Sequence, residues 1–309
     1  MTKTVLIATQ KPFAAEAKTQ TQAILEEAGY SVKVLESYAD EADLLGAIAE
    51  ADAIIVRSDK IHSGVLDAGK NLKLVVRAGA GYDNVDTAAA KERGIAVMNT
   101  PGQNANAVAE LVFGMLVFSA RGQYDGKPGT ELKGKTLGIH ALGNVGMNVL
   151  RIAKGFDMEV LAFDPYLADA DISAAGATPV STVEELYAKS DYLSLHIPAT
   201  DETKNSIGKA LLTSMPQGAA LVNTARAEVI DEAGLVEALK ERSDLRYLTD
   251  IAPSEATHAA LGEFGKRYFA TPKKMGAQTE EANTNAATAA ARQIIGFLER
   301  GERKHVVND

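Results

Sequence analysis

The sequence predicts an α/β protein made of two doubly wound parallel-sheet units. Three observations carry that expectation. Short apolar, β-rich runs alternate with helix-period segments along the chain. The alternation restarts near residue 136, after a long apolar helix and a polar loop. Ten strand-like runs can be read in all, and two units fit them better than one ten-stranded sheet.

The first unit opens with TVLIAT (4–9), a strand. Residues 14–28 follow at helical period and stop at Gly29, which suits the left-handed position after a helix. SVKVL (31–35) is a strand, 42–51 a helix and AIIV (53–56) a strand. KLVV (73–76) and IAVM (95–98) complete the set, with a helix near 86–93 ended by Gly94. Such alternation places helices on both faces of a parallel sheet. Residues 104–120 form a long apolar helix, and RGQYDGKPGTELKGK after it is the best internal linker candidate. TLGIH (136–140) starts the second series, continued by strands at 158–163, 192–196, 219–223 and 245–250. Ser181 and Glu184 are spaced as a capping box for a helix over 182–189. A final helix runs from about 279 to 300.

The net charge of −9 sets the global field against a polyanion, so no nucleic-acid partner is expected. There is no cysteine, which excludes disulfides, thiolate metal sites and cysteine nucleophiles. No metal site is expected. The N-terminal apolar run is short and reads as a strand rather than a signal peptide. No run approaches the ~18 apolar residues of a membrane helix, so no membrane partner is expected and the cytoplasm is the expected location.

Residues 136–146 read TLGIHALGNVG. This is a dinucleotide-binding glycine loop with alanine, Ala141, at its first position. Gly143 lets backbone approach a pyrophosphate at the helix N-terminus, and Gly146 allows helix to pack on strand. Ala141 can serve the turn only if its φ is negative. Asp164 ends the next strand, where a carboxylate accepts bonds from ribose hydroxyls and repels a 2′-phosphate. That favours NAD over NADP. The competing reading is an ordinary strand–turn–helix with a turn aspartate at Asp164-Pro165.

Further segments carry a resemblance. They are VRS (56–58), RAGAGYDNVD (77–86), NTPGQN (99–104), LGNVG (142–146), LHIP (195–198), NTARAEVID (223–231), DIAPSE (250–255) and TPKKMGAQTEEAN (271–283). Together they resemble the D-isomer-specific 2-hydroxyacid dehydrogenases, most closely their phosphoglycerate dehydrogenase branch. The resemblance implies a flavodoxin-like substrate domain (1–99 plus 285–309) and a Rossmann NAD-binding domain (100–284), with a cleft between. It implies a small phosphorylated 2-hydroxy acid as substrate, a role in serine biosynthesis and a homodimer.

The resemblance also implies site residues. Arg226 would bind and polarise a 2-oxo-carboxylate, for which a planar fork is suited. Glu255 would pair with the acid/base and tune it. The family's usual histidine position falls on Lys273. For the cofactor it implies Asn104, Leu142, Gly143, Asn144, Val145, Asp164, His196, Pro198, Thr224, Ala225, Arg226 and Asp250. For the substrate it implies Arg57, Ser58, Lys60 and Arg77 at the phosphate, backbone N–H groups of Ala78, Gly79 and Ala80 at the carboxylate, and Arg226 with Lys273 at the reacting carbon.

Free lysine titrates near ~10.4 and histidine near ~6.5, so a lysine base predicts an oxidation rate that climbs into the alkaline range. His140 reads as a packed core residue, and His258, on a loop past Glu255, is the rival base. Two further readings stay open. One is a dehydrogenase of another D-2-hydroxy acid, such as glycerate or a phosphonate analogue. The other is a non-catalytic NAD-sensing scaffold, which the absent histidine favours and the retained Arg226 and Glu255 oppose.

Overall fold

The computed structural model describes residues 2–309. The chain divides into two compact units: residues up to Asn104 with Thr279–Asp309, and Ala105–Gln278.

The first unit runs β1 (Thr4–Thr9), α1 (Ala15–Glu27), β2 (Ser31–Glu36), α2 (Glu41–Ile48), β3 (Ala53–Val56), α3 (Ser63–Ala68), β4 (Leu74–Arg77), α4 (Thr87–Glu92) and β5 (Ala96–Asn99), and takes back the last helix, α12 (Glu280–Arg300). Its parallel sheet has the order β2-β1-β3-β4-β5. This is the flavodoxin-like order, with its switch point between β1 and β3. AIIV of β3 is buried throughout, as a strand covered on both faces must be. α12 presents Ala286, Ala287, Ala290 and Ala291 inward, and this small-residue face lets it pack closely on α1 and the sheet. Past Gly301 the tail returns along β5, where Val307 N–H donates to the Val97 carbonyl at 2.9 Å.

The second unit runs α5 (Ala105–Ala120), β6 (Thr136–His140), α6 (Asn144–Gly155), β7 (Glu159–Phe163), α7 (Asp169–Ala175), β8 (Thr178–Pro179), α8 (Val183–Lys189), β9 (Tyr192–Leu195), α9 (Lys209–Ser214), β10 (Ala220–Asn223), α10 (Glu232–Glu241), β11 (Arg246–Thr249), α11 (Glu255–Gly262) and β12 (Tyr268–Ala270). Its parallel sheet has the order β12-β11-β10-β9-β6-β7-β8. From β8 inward this is the 3-2-1-4-5-6 order of dinucleotide-binding sheets, and it reverses between β6 and β9.

Four details differ from the sequence reading. The units divide at 104/105 and 278/279 rather than 99/100 and 284/285. Thr100 N–H is held by the Gly79 carbonyl in the first unit, and Thr279 caps α12 by accepting Ala282 N–H. β8 and β12 are additional edge strands of two and three residues, too short to show a period. The linker candidate is a surface loop of the second unit, closed by Thr130 N–H to the Ala120 carbonyl and by a Lys266–Asp125 ion pair at 2.6 Å. The cap of α8 is Thr182, one residue later than expected: its hydroxyl accepts Glu185 N–H, and Glu185 reaches back to Ser181 N–H.

Candidate active site

β6 leads straight into the glycine loop. Ala141 N–H donates to the Phe163 carbonyl at 2.9 Å, holding the loop beside the end of β7. Against the expectation, Ala141 has φ +77°. A Cβ in left-handed backbone crowds the following carbonyl, at a cost of roughly 1–2 kcal/mol. Ala141→Gly is therefore expected to stabilise the protein by about 1 kcal/mol, raising Tm by roughly 2–4 °C in a melt.

Gly143 is the N-cap of α6, and a Cβ built on it meets nothing within 4 Å, so this face of the loop is open. At Gly146 a Cβ would stand 2.4 Å from the Ala141 carbonyl oxygen, so the loop closes only over a glycine. The first intrahelical bond is Met147 N–H to the Gly143 carbonyl at 2.9 Å. The N–H groups of Asn144 and Val145 precede it and form an anion seat. Leu142 N–H does not join that seat, because it donates to Asp164 Oδ2 at 2.9 Å. Asp164 Oδ1 accepts Tyr166 N–H at 2.9 Å. Asp164 therefore pins the loop, and its remaining lone pairs stay available to hydroxyl donors.

A cavity of about 640 Å³ opens at the carboxyl ends of β6, β7 and β9, and His140, Gly143, Asp164, Tyr166, His196 and Pro198 are among its walls. This is the switch point, where open α/β sheets take their ligands. His140 is a core residue at 6% exposure, as its strand predicts, and it also lines this cavity. Burial lowers its pKa to about 4, opposed by Asp164. Burial and His140 together lower that of His196 to about 3. Both rings are therefore neutral at pH 7. His196 Nε2 sits 2.9 Å from Ser194 Oγ. The signal for His140 in the sequence was its place directly before the glycine loop.

The polar cluster lies at the ends of β10, β11 and β12, which are neighbours in register: Asn223 opposes Thr249, and Thr249 opposes Ala270. Asn223 is fully buried and shapes the next turn. Its Oδ1 accepts Ala225 N–H at 3.0 Å, and its Nδ2 donates to the Arg226 carbonyl at 2.8 Å. That turn puts Arg226 just past the carboxyl end of β10, half-buried, with Nη1 donating to the Ala225 carbonyl at 2.9 Å. Asp250 follows β11 and is 1% exposed. Its Oδ2 accepts Gly276 N–H at 2.7 Å and Met275 N–H at 3.2 Å. Burial raises its pKa against those bonds. Lys273 follows β12 and is exposed, and Glu255 is exposed at the first position of α11. His258 lies on α11, not on a loop, and its Nδ1 is 2.7 Å from the Tyr268 hydroxyl. That bond commits one ring nitrogen of the rival base to a structural link.

Among the described residues of this unit four buried polar atoms have no partner: the Tyr187 hydroxyl, inside the core, and His140 Nδ1, Thr224 Oγ1 and Asp250 Oδ1, at or just past strand ends. Thr224 and Asp250 directly follow β10 and β11. Buried polar groups are almost always paired, so unsatisfied ones at the carboxyl ends of β6, β10 and β11 fit a ligand that carries an amide and hydroxyls. A nicotinamide dinucleotide has both.

In the first unit the expected cations also follow neighbouring strands, Val56 opposing Arg77. Arg57 Nη1 donates to the carbonyls of Lys11 and Pro12, its Nη2 donates to Asn283 Oδ1 at 2.7 Å, and its guanidinium lies 5.2 Å from the Phe13 ring. Those bonds leave Nε–H and one Nη2–H for a ligand. Burial lowers its pKa. Arg77 Nε donates to the Arg57 carbonyl at 3.0 Å. The expected carboxylate nest needs one correction: Ala78 N–H donates to the Val56 carbonyl at 2.8 Å, which leaves Gly79 and Ala80. Ser58 and Lys60 are exposed and line a separate shallow hollow of about 460 Å³ with His62 and Asn84. Asn104 is half-buried in the turn before α5.

Gly79 has φ +149°, and a Cβ on it would lie 1.5 Å from Arg77 Nη1. Gly79→Ala is therefore expected to displace the Arg77 guanidinium and, because alanine is strained at this φ, to cost about 1–3 kcal/mol of stability as well. The expected readout is a KM for a phosphorylated 2-oxo acid raised on the order of tenfold, as for one lost charge-assisted bond, with a smaller rise for its unphosphorylated analogue, which meets only the Gly79–Ala80 nest.

Sheet order, glycine loop and pinned aspartate together define a Rossmann-type nucleotide-binding unit. Residues 112–275 match the sequence profile of the D-isomer specific 2-hydroxyacid dehydrogenase, NAD binding domain. The chain belongs to the D-isomer specific 2-hydroxyacid dehydrogenase family. It is similar to D-3-phosphoglycerate dehydrogenase of Methanocaldococcus jannaschii, 38% identical over 300 residues, covering 92% of this chain and 56% of that one. The chain thus spans about half the length of several curated relatives that it matches. Hydroxypyruvate reductase of Thermotoga maritima is 39% identical over 222 residues, covering 67% of this chain and 71% of that one. Among solved structures it resembles an NAD+-bound 3-phosphoglycerate dehydrogenase from Entamoeba histolytica, with TM-score 0.89 and 45% identity over 100% of this chain and 99% of that one.

Proposed function

We propose that the protein is an NAD-dependent D-3-phosphoglycerate dehydrogenase, interconverting 3-phospho-D-glycerate and 3-phosphohydroxypyruvate for serine biosynthesis. The observation that carries this reading is the placing of Arg226, Asp250 and Lys273 just past three neighbouring strands of one sheet. The relatives named for this activity support the substrate.

The glycine loop and the N-terminus of α6 would hold the cofactor's pyrophosphate, Asp164 its ribose, and Asp250 Oδ1 and Thr224 Oγ1 its nicotinamide end. Bound cofactor supplies the hydride acceptor or donor. Arg226 grips the carboxylate and the C2 oxygen as a fork and stabilises negative charge on that oxygen. Lys273 Nζ removes the C2 hydroxyl proton in oxidation and returns it in reduction. Glu255 would favour the charged lysine by its negative charge, although no ion pair joins the two side chains among the described residues. Arg57 and Arg77 take the phosphate, with Ser58 and Lys60 at its margin.

One observation favours a second reading, the reduction of an unphosphorylated 2-oxo acid: the relative from Thermotoga maritima is named a hydroxypyruvate reductase. The deciding measurement is steady-state NADH oxidation with phosphohydroxypyruvate against hydroxypyruvate. A strong preference for the phosphorylated substrate supports the first reading, and its absence the second. No turnover of either, with NADH still bound, would favour the scaffold.

A further inference from the structure

Glu255 begins α11, yet little apolar packing holds that end of the helix. The buried residue of α11 is Leu261, in its last turn. The Glu255 side chain is exposed and makes no hydrogen bond or ion pair among the described residues. The helix frame therefore sets where the side chain starts, and no contact of its own fixes it.

That frame is held by one carboxylate from another helix. Glu232, the first residue of α10, accepts Ser254 N–H at 2.7 Å and the Thr257 hydroxyl at 2.6 Å, and it also bonds the Ser254 hydroxyl. Ser254 is the N-cap of α11, so Glu232 grips both the cap and the first turn. Glu232 is itself well fixed. Asp231 caps α10 by accepting Gly234 N–H at 3.1 Å, and Leu235, Ala238 and Leu239 bury the helix. Burial raises the Glu232 pKa, but the Ser254 and Thr257 bonds outweigh it and leave the carboxyl below its usual range. The grip is thus ionic at neutral pH, and hydrogen bonds to a charged acceptor are the stronger kind. The His258–Tyr268 bond is a second tie, on the same turn as Thr257.

We propose that Glu232 is a positioning residue for Glu255, its carboxylate fixing the first turn of α11 through Ser254 and Thr257. The proposal rests on the reading of Glu255 as partner of the acid/base. Without the grip, the first turn of α11 loosens, Glu255 wanders, and the rate falls while cofactor affinity holds.

The test compares Glu232→Gln, Thr257→Val, Glu255→Gln and the double variant Glu232→Gln/Glu255→Gln. Amide exchange at Glu255–His258 should quicken on the order of tenfold in Glu232→Gln, and less in Thr257→Val. The kcat of Glu232→Gln should fall on the order of tenfold with KM for NADH unchanged. Its pH–rate profile should move in the same direction as that of Glu255→Gln. The double variant should be no slower than Glu255→Gln alone, because the two residues act as one unit. Multiplying losses or unchanged exchange would overturn the proposal. If Glu255→Gln keeps the wild-type rate, the assigned role of Glu255 fails. Quickened exchange at a normal rate would then show that Glu232 has only a structural role, overturning the proposal separately.

Discussion

Lys273→Ala is expected to lower turnover of the 2-oxo acid by ~10²–10⁴-fold while NADH still binds, the usual range for losing a general acid/base. The expectation follows from position and freedom together. Lys273 stands three residues past β12, beside the ends of β10 and β11 that carry Arg226 and Asp250. Its backbone is fixed, since its carbonyl accepts the Thr271 hydroxyl at 2.7 Å. Its ammonium group makes no hydrogen bond or ion pair among the described residues, so no structural task competes with a chemical one. Two companions sharpen the test. Lys273→His should keep part of the rate and move the pH dependence towards neutrality, because imidazole switches there. Lys274→Ala should keep most of the rate. If Lys273→Ala is fully active and Lys274→Ala or a His258 variant is not, the assignment moves to that residue. Single-turnover NADH oxidation monitored at 340 nm would separate a chemical defect from slow product release.

Arg226→Lys is expected to cost ~10²–10³-fold in kcat, although the charge is kept. The turn that carries Arg226 is braced on both sides by the Asn223 amide, and Asn223 is further held by the Tyr247 hydroxyl at 3.4 Å. So rigid a mount fits a side chain that must place two parallel N–H bonds. Lysine offers one mobile point charge and cannot hold a carboxylate and a developing oxyanion together. Steady-state kinetics would show the fall in kcat with cofactor affinity unchanged. A loss of only a few fold would place the oxyanion contact elsewhere.

The sequence by itself determined much of this protein. Buried parallel strands must be apolar runs, so AIIV and TLGIH announce themselves, and Gly29 and Gly94 mark helix ends because left-handed backbone favours glycine. The glycine loop and the aspartate one strand later follow from the same local rules. Local rules could not report how a residue's neighbours are used. Ala141 holds φ +77° because Ala141 N–H, Asp164 and the tight approach at Gly146 fix the turn more firmly than its Cβ resists it. His140 reads as core from its strand, yet only the sheet order shows that its strand end borders the cavity. Ala78 reads as part of a nest, yet pairing of β3 with β4 claims its N–H. Arg57 reads as an open phosphate cation, yet Lys11, Pro12 and Asn283 meet its guanidinium. Each case turns on partners distant in the chain, such as Arg57 with Asn283 or Ala78 with Val56. Apolar period and turn chemistry act within a few residues and are written in the sequence. Hydrogen-bond partners across a sheet or between helices exist only once the chain has folded.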